Sequence, residues 1–289
     1  AERTARAWGD LFSAVYGERL GCMRDFIAAY SSAGAAGAPS IGDDDGSRLL
    51  TSFVEPSSDH TYLLESISNE GEASIDGFLF SGRWRPRGAG FAASKAFPQG
   101  GFYVMKRNGA EVVIRAGALG AARGHAHCDQ LSFTLSIGGV PFLVDRGSGS
   151  YSGDVDLRNR LRSTAAHNTV RIAKQEQNCF MADRGHLFLM KDDTHTKILD
   201  WDSDSESDRL IAEHYGYRRL SDPVVHRRQW TLLHNMRVLS IKDWFFSDTG
   251  MPVEWFFHLG PSISCSSRDE HLILEDPTGQ LLWMETPPK

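Results

Sequence analysis

Three histidines and two aspartates mark where this chain could do chemistry. His125 and His127 stand one residue apart in Gly124-His125-Ala126-His127-Cys128-Asp129, His167 opens His167-Asn168-Thr169, and Asp145 lies between the two groups. Imidazole nitrogens and carboxylate oxygens are the donors that Zn²⁺ and similar divalent ions select. Imidazole also moves protons near neutral pH. Metal binding and acid/base catalysis are therefore both open at one place in the sequence.

The surrounding pattern limits how these groups can meet. Leu131, Phe133, Leu135 and Ile137 alternate with Ser132, Thr134 and Ser136, the period of a half-buried strand. Continued backwards, that parity puts His125, His127 and Asp129 on the apolar face, where ionisable groups are costly unless paired or bound to a cation. The turn after Ile137 decides where Asp145 goes. A three-residue turn, Gly138-Gly139-Val140, sets it opposite Phe133 on the histidine side; a two-residue turn, Gly138-Gly139, points it away. Even in the first register, His127 and Phe133 are separated by roughly 20 Å of straight strand. Residues 124–130 must then bend back before His127 and Asp145 can share an ion, and on residue types alone Asp129 and Asp145 both stay candidates.

The elements that must hold these groups are mostly strands. Trp8, Leu11, Phe12, Val15, Tyr16, Leu20, Met23, Phe26, Ile27 and Tyr30 recur at spacings of three and four, the stripe of one or two helices broken at Gly17 or Gly21. Residues 31–39, rich in Ser, Ala and Gly, read as a linker, which places a domain boundary near residue 40: a helical segment over 1–40 and a β domain over 41–289. Period-two segments follow at 60–67, 102–107, 111–115, 131–137, 140–144, 170–172, 210–217, 228–233, 237–246 and 253–258, with Asn108-Gly109 a strong type I′ hairpin signal. So many short strands predict a mainly β fold, a large antiparallel β-sandwich behind a short helical segment. The acidic run from Asp200 to Asp208 reads as an exposed loop, and Gly147 to Gly153 as a surface loop from which Tyr151 could reach a ligand.

Composition excludes several classes. At 41% hydrophobic the chain can bury a sizeable core, and its net charge of −6 argues against a general nucleic-acid binder. Eight Arg/Lys against four Asp/Glu between Arg115 and Lys174 make that window basic, which suits an anionic small molecule or polymer. Cys22, Cys128, Cys179 and Cys265 have no paired spacing, so neither a zinc ribbon nor a disulfide framework is expected. No apolar run is long enough to span a bilayer, and no signal core opens the chain.

Three blocks in order carry a resemblance: residues 124–133 from Gly124 to Phe133, Phe142-Leu143-Val144-Asp145-Arg146-Gly147 with Ser150-Tyr151-Ser152-Gly153-Asp154, and Arg162-Ser163-Thr164-Ala165-Ala166-His167-Asn168-Thr169-Val170. Together they resemble the heparinase II/III-like polysaccharide lyases and their alginate-lyase relatives. Weaker likeness runs through 41–46 and 237–259. The resemblance implies an N-terminal α/α toroid, of which residues 1–40 would be the end, followed by the β-sandwich. It implies a catalytic role for His125, a structural Zn²⁺ at the cleft wall held by His127, Asp145 and His167, and Asp129 as a hydrogen-bond partner behind the ligands. Arg123, Tyr151, Arg162 and Asn168 are the expected substrate-binding residues. The implied reaction is β-elimination at a uronic acid in an acidic polysaccharide such as a glycosaminoglycan or alginate, by a periplasmic or secreted enzyme, with a homodimer compatible. The family's remaining catalytic groups belong to the toroid and have no counterpart in residues 1–30, so this portion alone is expected to be inactive.

Two rivals stand beside that reading. His127-Cys128-Asp129 with His167 also satisfies the two-histidine, one-carboxylate triad of a non-haem Fe(II) oxygenase, which would use Asp129. A non-catalytic β-sandwich module that binds acidic sugar would use the basic window for affinity without turnover.

Overall fold

A computed structural model describes residues 13–31, 38–43, 93–119, 123–179, 187–269 and 271–285. The expected strand at 60–67 and the expected helical residues Trp8 to Phe12 lie outside these. Helix α1, Ala14–Tyr30, starts at Ser13, whose hydroxyl accepts the Tyr16 amide. It runs unbroken through Gly17 and Gly21, contrary to the expected break. A glycine inside a helix costs about 1 kcal/mol relative to alanine, and docking outweighs it: Ala28 and Ala29 are buried, and Phe26 packs on Tyr30, Phe97 and Phe102.

Two antiparallel sheets form the body. The first has the order β1 (Lys95–Phe97), β2 (Phe102–Arg107), β3 (Ala110–Arg115), β4 (Ser132–Ile137), β5 (Val140–Leu143). The second has β10 (Val238–Phe246), β9 (Val225–Leu233), β8 (Ser207–His214), β7 (Lys197–Ser203). Tyr103, Met105, Val112, Ile114 and Phe133 of the first face Leu210, Ala212, Trp230 and Leu232 of the second in one buried cluster. The other face of the first sheet carries Val104 and Val113 against Ala29 of α1. Alternation in the sequence is thus a sandwich with one helix laid on its outside. Smaller sheets pair β11 (Val253–Trp255) with β6 (Val170–Ile172), and β12 (Ser264–Arg268) with β13 (His271–Glu275) and β14 (Leu281–Glu285).

Residues 200–208 are not a loop. Asp200, Trp201, Asp202 and Ser203 are the end of β7, paired with β8 around a tight connection, because Trp201 packs on the core while Asp202 and Asp204 are exposed. Helix α2, Val155–Leu161, also follows the glycine loop, capped by the Asp154 carboxylate on the Leu157 amide. The expected hairpin at Asn108-Gly109 is present, with both residues at positive φ.

Candidate metal and acid/base site

The hairpin β4–β5 resolves the register question. Ile137 pairs with Val140, so Gly138-Gly139 is a two-residue turn, which by itself would carry Asp145 to the wrong side. A bulge then intervenes: Ser136 pairs with Pro141 but Leu135 pairs with Leu143. One extra residue reverses the parity of all that follows, so Asp145 falls level with Phe133 after all. Pro141 suits this position because it has no amide to lose from the ladder.

The histidine segment bends as well. β4 begins at Ser132, and Leu131 just before it has φ +57°, a conformation that costs a non-glycine residue about 1–2 kcal/mol. The bend is fixed by the Leu131 amide on the Arg115 carbonyl and the Cys128 amide on the Arg162 carbonyl. His125 and His127 therefore precede the strand instead of continuing its apolar face. His167 follows a single 3-10 turn, Thr164–Ala166.

These turns bring His127, Asp145 and His167 together, with one ligand atom from each within 4.8 Å of the others. The two imidazoles are fully buried, their ring centroids 5.2 Å apart. His167 Nδ1 lies 2.7 Å from Asp145 Oδ2, and His127 Nε2 lies 2.9 Å from Asp43 Oδ1. Burial favours the neutral forms, yet Asp145 and His167 stabilise each other's charge, so Asp145 titrates below its ordinary range and His167 above. His127 Nδ1 and His167 Nε2 are buried without a hydrogen-bond partner among the described residues. A buried nitrogen with a bare lone pair is costly unless something accepts it. With the Asp43 carboxylate fixing His127 as the Nε2–H tautomer, its Nδ1 has the environment that metal-bound imidazoles show. The donor set, two imidazoles and a carboxylate, fits Zn²⁺.

Asp43 organises the neighbourhood. Its carboxylate accepts from His127, receives Arg158 Nη1 and Nη2 at 2.9 and 2.8 Å, and lies 3.3 Å from His125 Nδ1. Burial pushes this carboxyl up, but the hydrogen bonds and charges of His127 and Arg158 outweigh it and hold it well below the carboxylate range. The His125 side chain is 54% exposed, against 1% for His127. Tyr151 and Phe188 stack at 5.9 Å beside it, with the Arg158 guanidinium against both rings. Their centroids lie 6.4 and 6.3 Å from that of His125.

Other expected residues stand elsewhere. Asp129 hydrogen-bonds neither histidine; its nearest cation is Arg115, 4.0 Å away, and its other oxygen is buried without a partner. Asp43 takes the place assigned to it, and Asp145, not Asp129, joins the histidines, which removes the basis of the Asp129 iron triad. Arg162 is buried, donating to the Leu187 carbonyl and Asn159, so it holds the chain before Phe188 in place instead of reaching outward. Asn168 is also buried: its amide donates to the carbonyls of Phe133 and Val144 and accepts from the His258 amide. The Arg123 side chain lies outside the described residues. Asp43, Arg158 and Phe188 were missed as site residues. Asp43 sits 84 residues from His127, with no spacing rule to link them; Arg158 could have been found from the Asp154 cap, which starts a helix that puts Arg158 and Arg162 on one face.

Comparison with known proteins follows this geometry. Residues 90–289 match the family described as heparinase II/III-like, C-terminal. No curated protein matches. Among solved structures, a heparinase III with methylated lysines is similar at 20% identity and TM-score 0.62, over 91% of this chain and 37% of that one. The heparan sulfate lyase HepC from Pedobacter heparinus is similar at 18% identity and TM-score 0.60, over 92% of this chain and 40% of that one. The chain thus spans about two-fifths of the length of these structures.

Proposed function

Because the chain belongs to the heparinase II/III-like family through its C-terminal domain, we propose that it is the sandwich portion of a polysaccharide lyase acting on a uronate-containing polymer. The observation that carries this reading is the contrast between His125, half-exposed on an Asp43 anchor, and the buried histidines behind it. Elimination removes the proton at C5 of the uronate. The electron pair forms the C4–C5 double bond, the C4–O bond breaks, and the departing oxygen takes a proton. His125 serves one of the two proton transfers, with Asp43 on Nδ1 setting the ring's orientation. Tyr151 and Phe188 offer an aromatic face for a sugar ring at that position. The groove of about 270 Å³ on the far side of Asp145 is lined by Glu111 as well, and two carboxylates do not suit an anionic sugar.

His127, Asp145 and His167 would hold Zn²⁺, which would lock the loops that carry His125 against the sheet. The other proton transfer and the neutralisation of the uronate carboxylate need groups from the domain facing this wall, so the chain by itself is inactive in this reading. Polymer substrates place the enzyme outside the cytoplasm. The test uses the full-length protein with heparin, heparan sulfate, alginate and hyaluronan, following absorbance of the unsaturated uronate. Product from one of these, abolished by His125→Ala with zinc content unchanged, supports the lyase. Binding without product from all four, with the protein folded and zinc-loaded, would favour a sugar-binding module.

A further inference from the structure

Arg228 is a charged side chain buried between the two sheets. It lies in β9, and its side chain is shut off from solvent. Nε and Nη2 hold the carboxylate of Asp243 in β10 at 2.7 and 3.0 Å. His226 Nε2 and Trp255 Nε1 complete that carboxylate at 2.7 and 3.0 Å. The remaining nitrogen, Nη1, points across the sandwich and donates to two backbone carbonyls, Leu131 at 2.9 Å and Asn168 at 3.1 Å.

Those two carbonyls are not arbitrary. Leu131 is the left-handed residue at which the chain leaves β4 toward His127. Asn168 follows His167 directly, and its side chain ties Phe133 and Val144, the latter the residue before Asp145. The segments bearing His127, Asp145 and His167 are therefore joined, directly or through Asn168, to one guanidinium from the opposite sheet. An apolar side chain would fill the same space without the desolvation cost of a charge. What the guanidinium adds is a rigid fork that reaches two carbonyls and a carboxylate at once, which an ammonium cannot do.

We infer that Arg228, anchored by Asp243, is a positioning residue that sets the spacing of the His127, Asp145 and His167 loops and so the affinity and geometry of the metal site. This rests on the zinc reading above and extends it to the second sheet. The test measures Zn²⁺ affinity by chelator competition and the absorption spectrum of the Co²⁺-substituted protein. Arg228→Met is expected to weaken Zn²⁺ by about 10- to 100-fold, as loss of a partner behind a ligand does, and to alter the Co²⁺ spectrum. Arg228→Lys should recover part of the affinity. Arg227→Met, on the same strand but facing Glu213 on the outside, should change neither. If Arg228→Met does not fold, Arg228→Lys and Asp243→Asn carry the test, both expected to weaken Zn²⁺. Unchanged affinity and spectrum in folded Arg228→Met, or in both substitutes, overturns the inference alone. Wild-type protein that takes up no Zn²⁺ overturns it together with the metal reading.

Discussion

Two buried clusters of histidine and aspartate lie on either side of Arg228, and they differ in what they leave unsatisfied. In the cluster of the second sheet, the Gly216 amide donates to His214 Nδ1, His214 Nε2 then faces His226 Nδ1, and His226 Nε2 donates to Asp243. Every ring nitrogen is used. In the cluster formed by His127, Asp145 and His167, two ring nitrogens are buried with no partner among the described residues. A closed network stabilises and rigidifies, whereas one with bare lone pairs is completed by something added to it. The lesson is that composition does not separate the two: both are histidines with aspartate at 2.7 Å.

The contrast breaks most sharply at the level of activity. His125→Ala in the full-length protein should cost about 10²–10⁴ in turnover, the range for a proton-transfer group, with little change in thermal stability. His226→Ala should do the reverse, lowering the unfolding temperature of the chain while leaving substrate chemistry to the other cluster. If His226→Ala removes turnover without destabilising, the assignment of roles is wrong.

Asp43→Ala tests the junction between the exposed histidine and the buried ones. It strips His127 of its tautomer-fixing partner and leaves the buried Arg158 guanidinium uncompensated, a change worth about 3–5 kcal/mol when one partner of a buried pair is removed. Denaturant unfolding should show a loss of that size, and Zn²⁺ affinity should fall with it. Unchanged stability would mean Arg158 finds another partner.

Acid should separate the clusters by sign. Burial, then the neighbouring charges of His226 and Arg228, hold His214 well below its ordinary range, and burial lowers His226 against the opposing hydrogen bond and charge of Asp243. The unfolded chain therefore takes up protons that the native chain refuses, and this part of the stability is complete above about pH 6.5 and lost as pH falls below it. His167 in the metal-free chain is raised by Asp145 against burial. Its contribution is present below about pH 6.5 and lost as pH rises through its folded value. Unfolding of metal-free protein across pH 5–8 should accordingly lose less on acidification in His226→Gln, and more in His167→Gln, than in wild type. The same direction in both variants would refute the comparison. The smallest effect is expected far from either cluster: Lys95 and Asp25 pair at 2.7 Å with both side chains more than a third exposed, so Asp25→Asn should change stability by less than about 1 kcal/mol.

How much of this was legible depended on range. Alternation at 102–107, 111–115, 131–137 and 140–144 located four strands of the first sheet within two residues at each end, and Asn108-Gly109 its first hairpin, because periodicity and turn chemistry are local. The three residues that the structure brings together, His127, Asp145 and His167, are those the resemblance implied, while residues alone left Asp129 and Asp145 tied. What broke the tie, a one-residue bulge after Gly138-Gly139 and a left-handed Leu131, is decided by the packing of the whole sheet and leaves no local mark. Asp43 and Arg228 were invisible as site residues for the same reason: each acts across a long stretch of chain. Trp201 misled in the opposite direction, hidden among aspartates that made a core strand look like a loop.

The bulge also sorts the hairpin into a part that can be edited and a part that cannot. Its tip, Gly138-Gly139, closes the ladder at Ile137 and Val140 and lies upstream of the extra residue, so a longer tip adds loop without changing which way Asp145 faces. Inserting one residue between Leu143 and Asp145, beyond the bulge, would instead reverse the parity once more and swing the carboxylate out of reach. A peptide tag or fluorophore belongs at the tip.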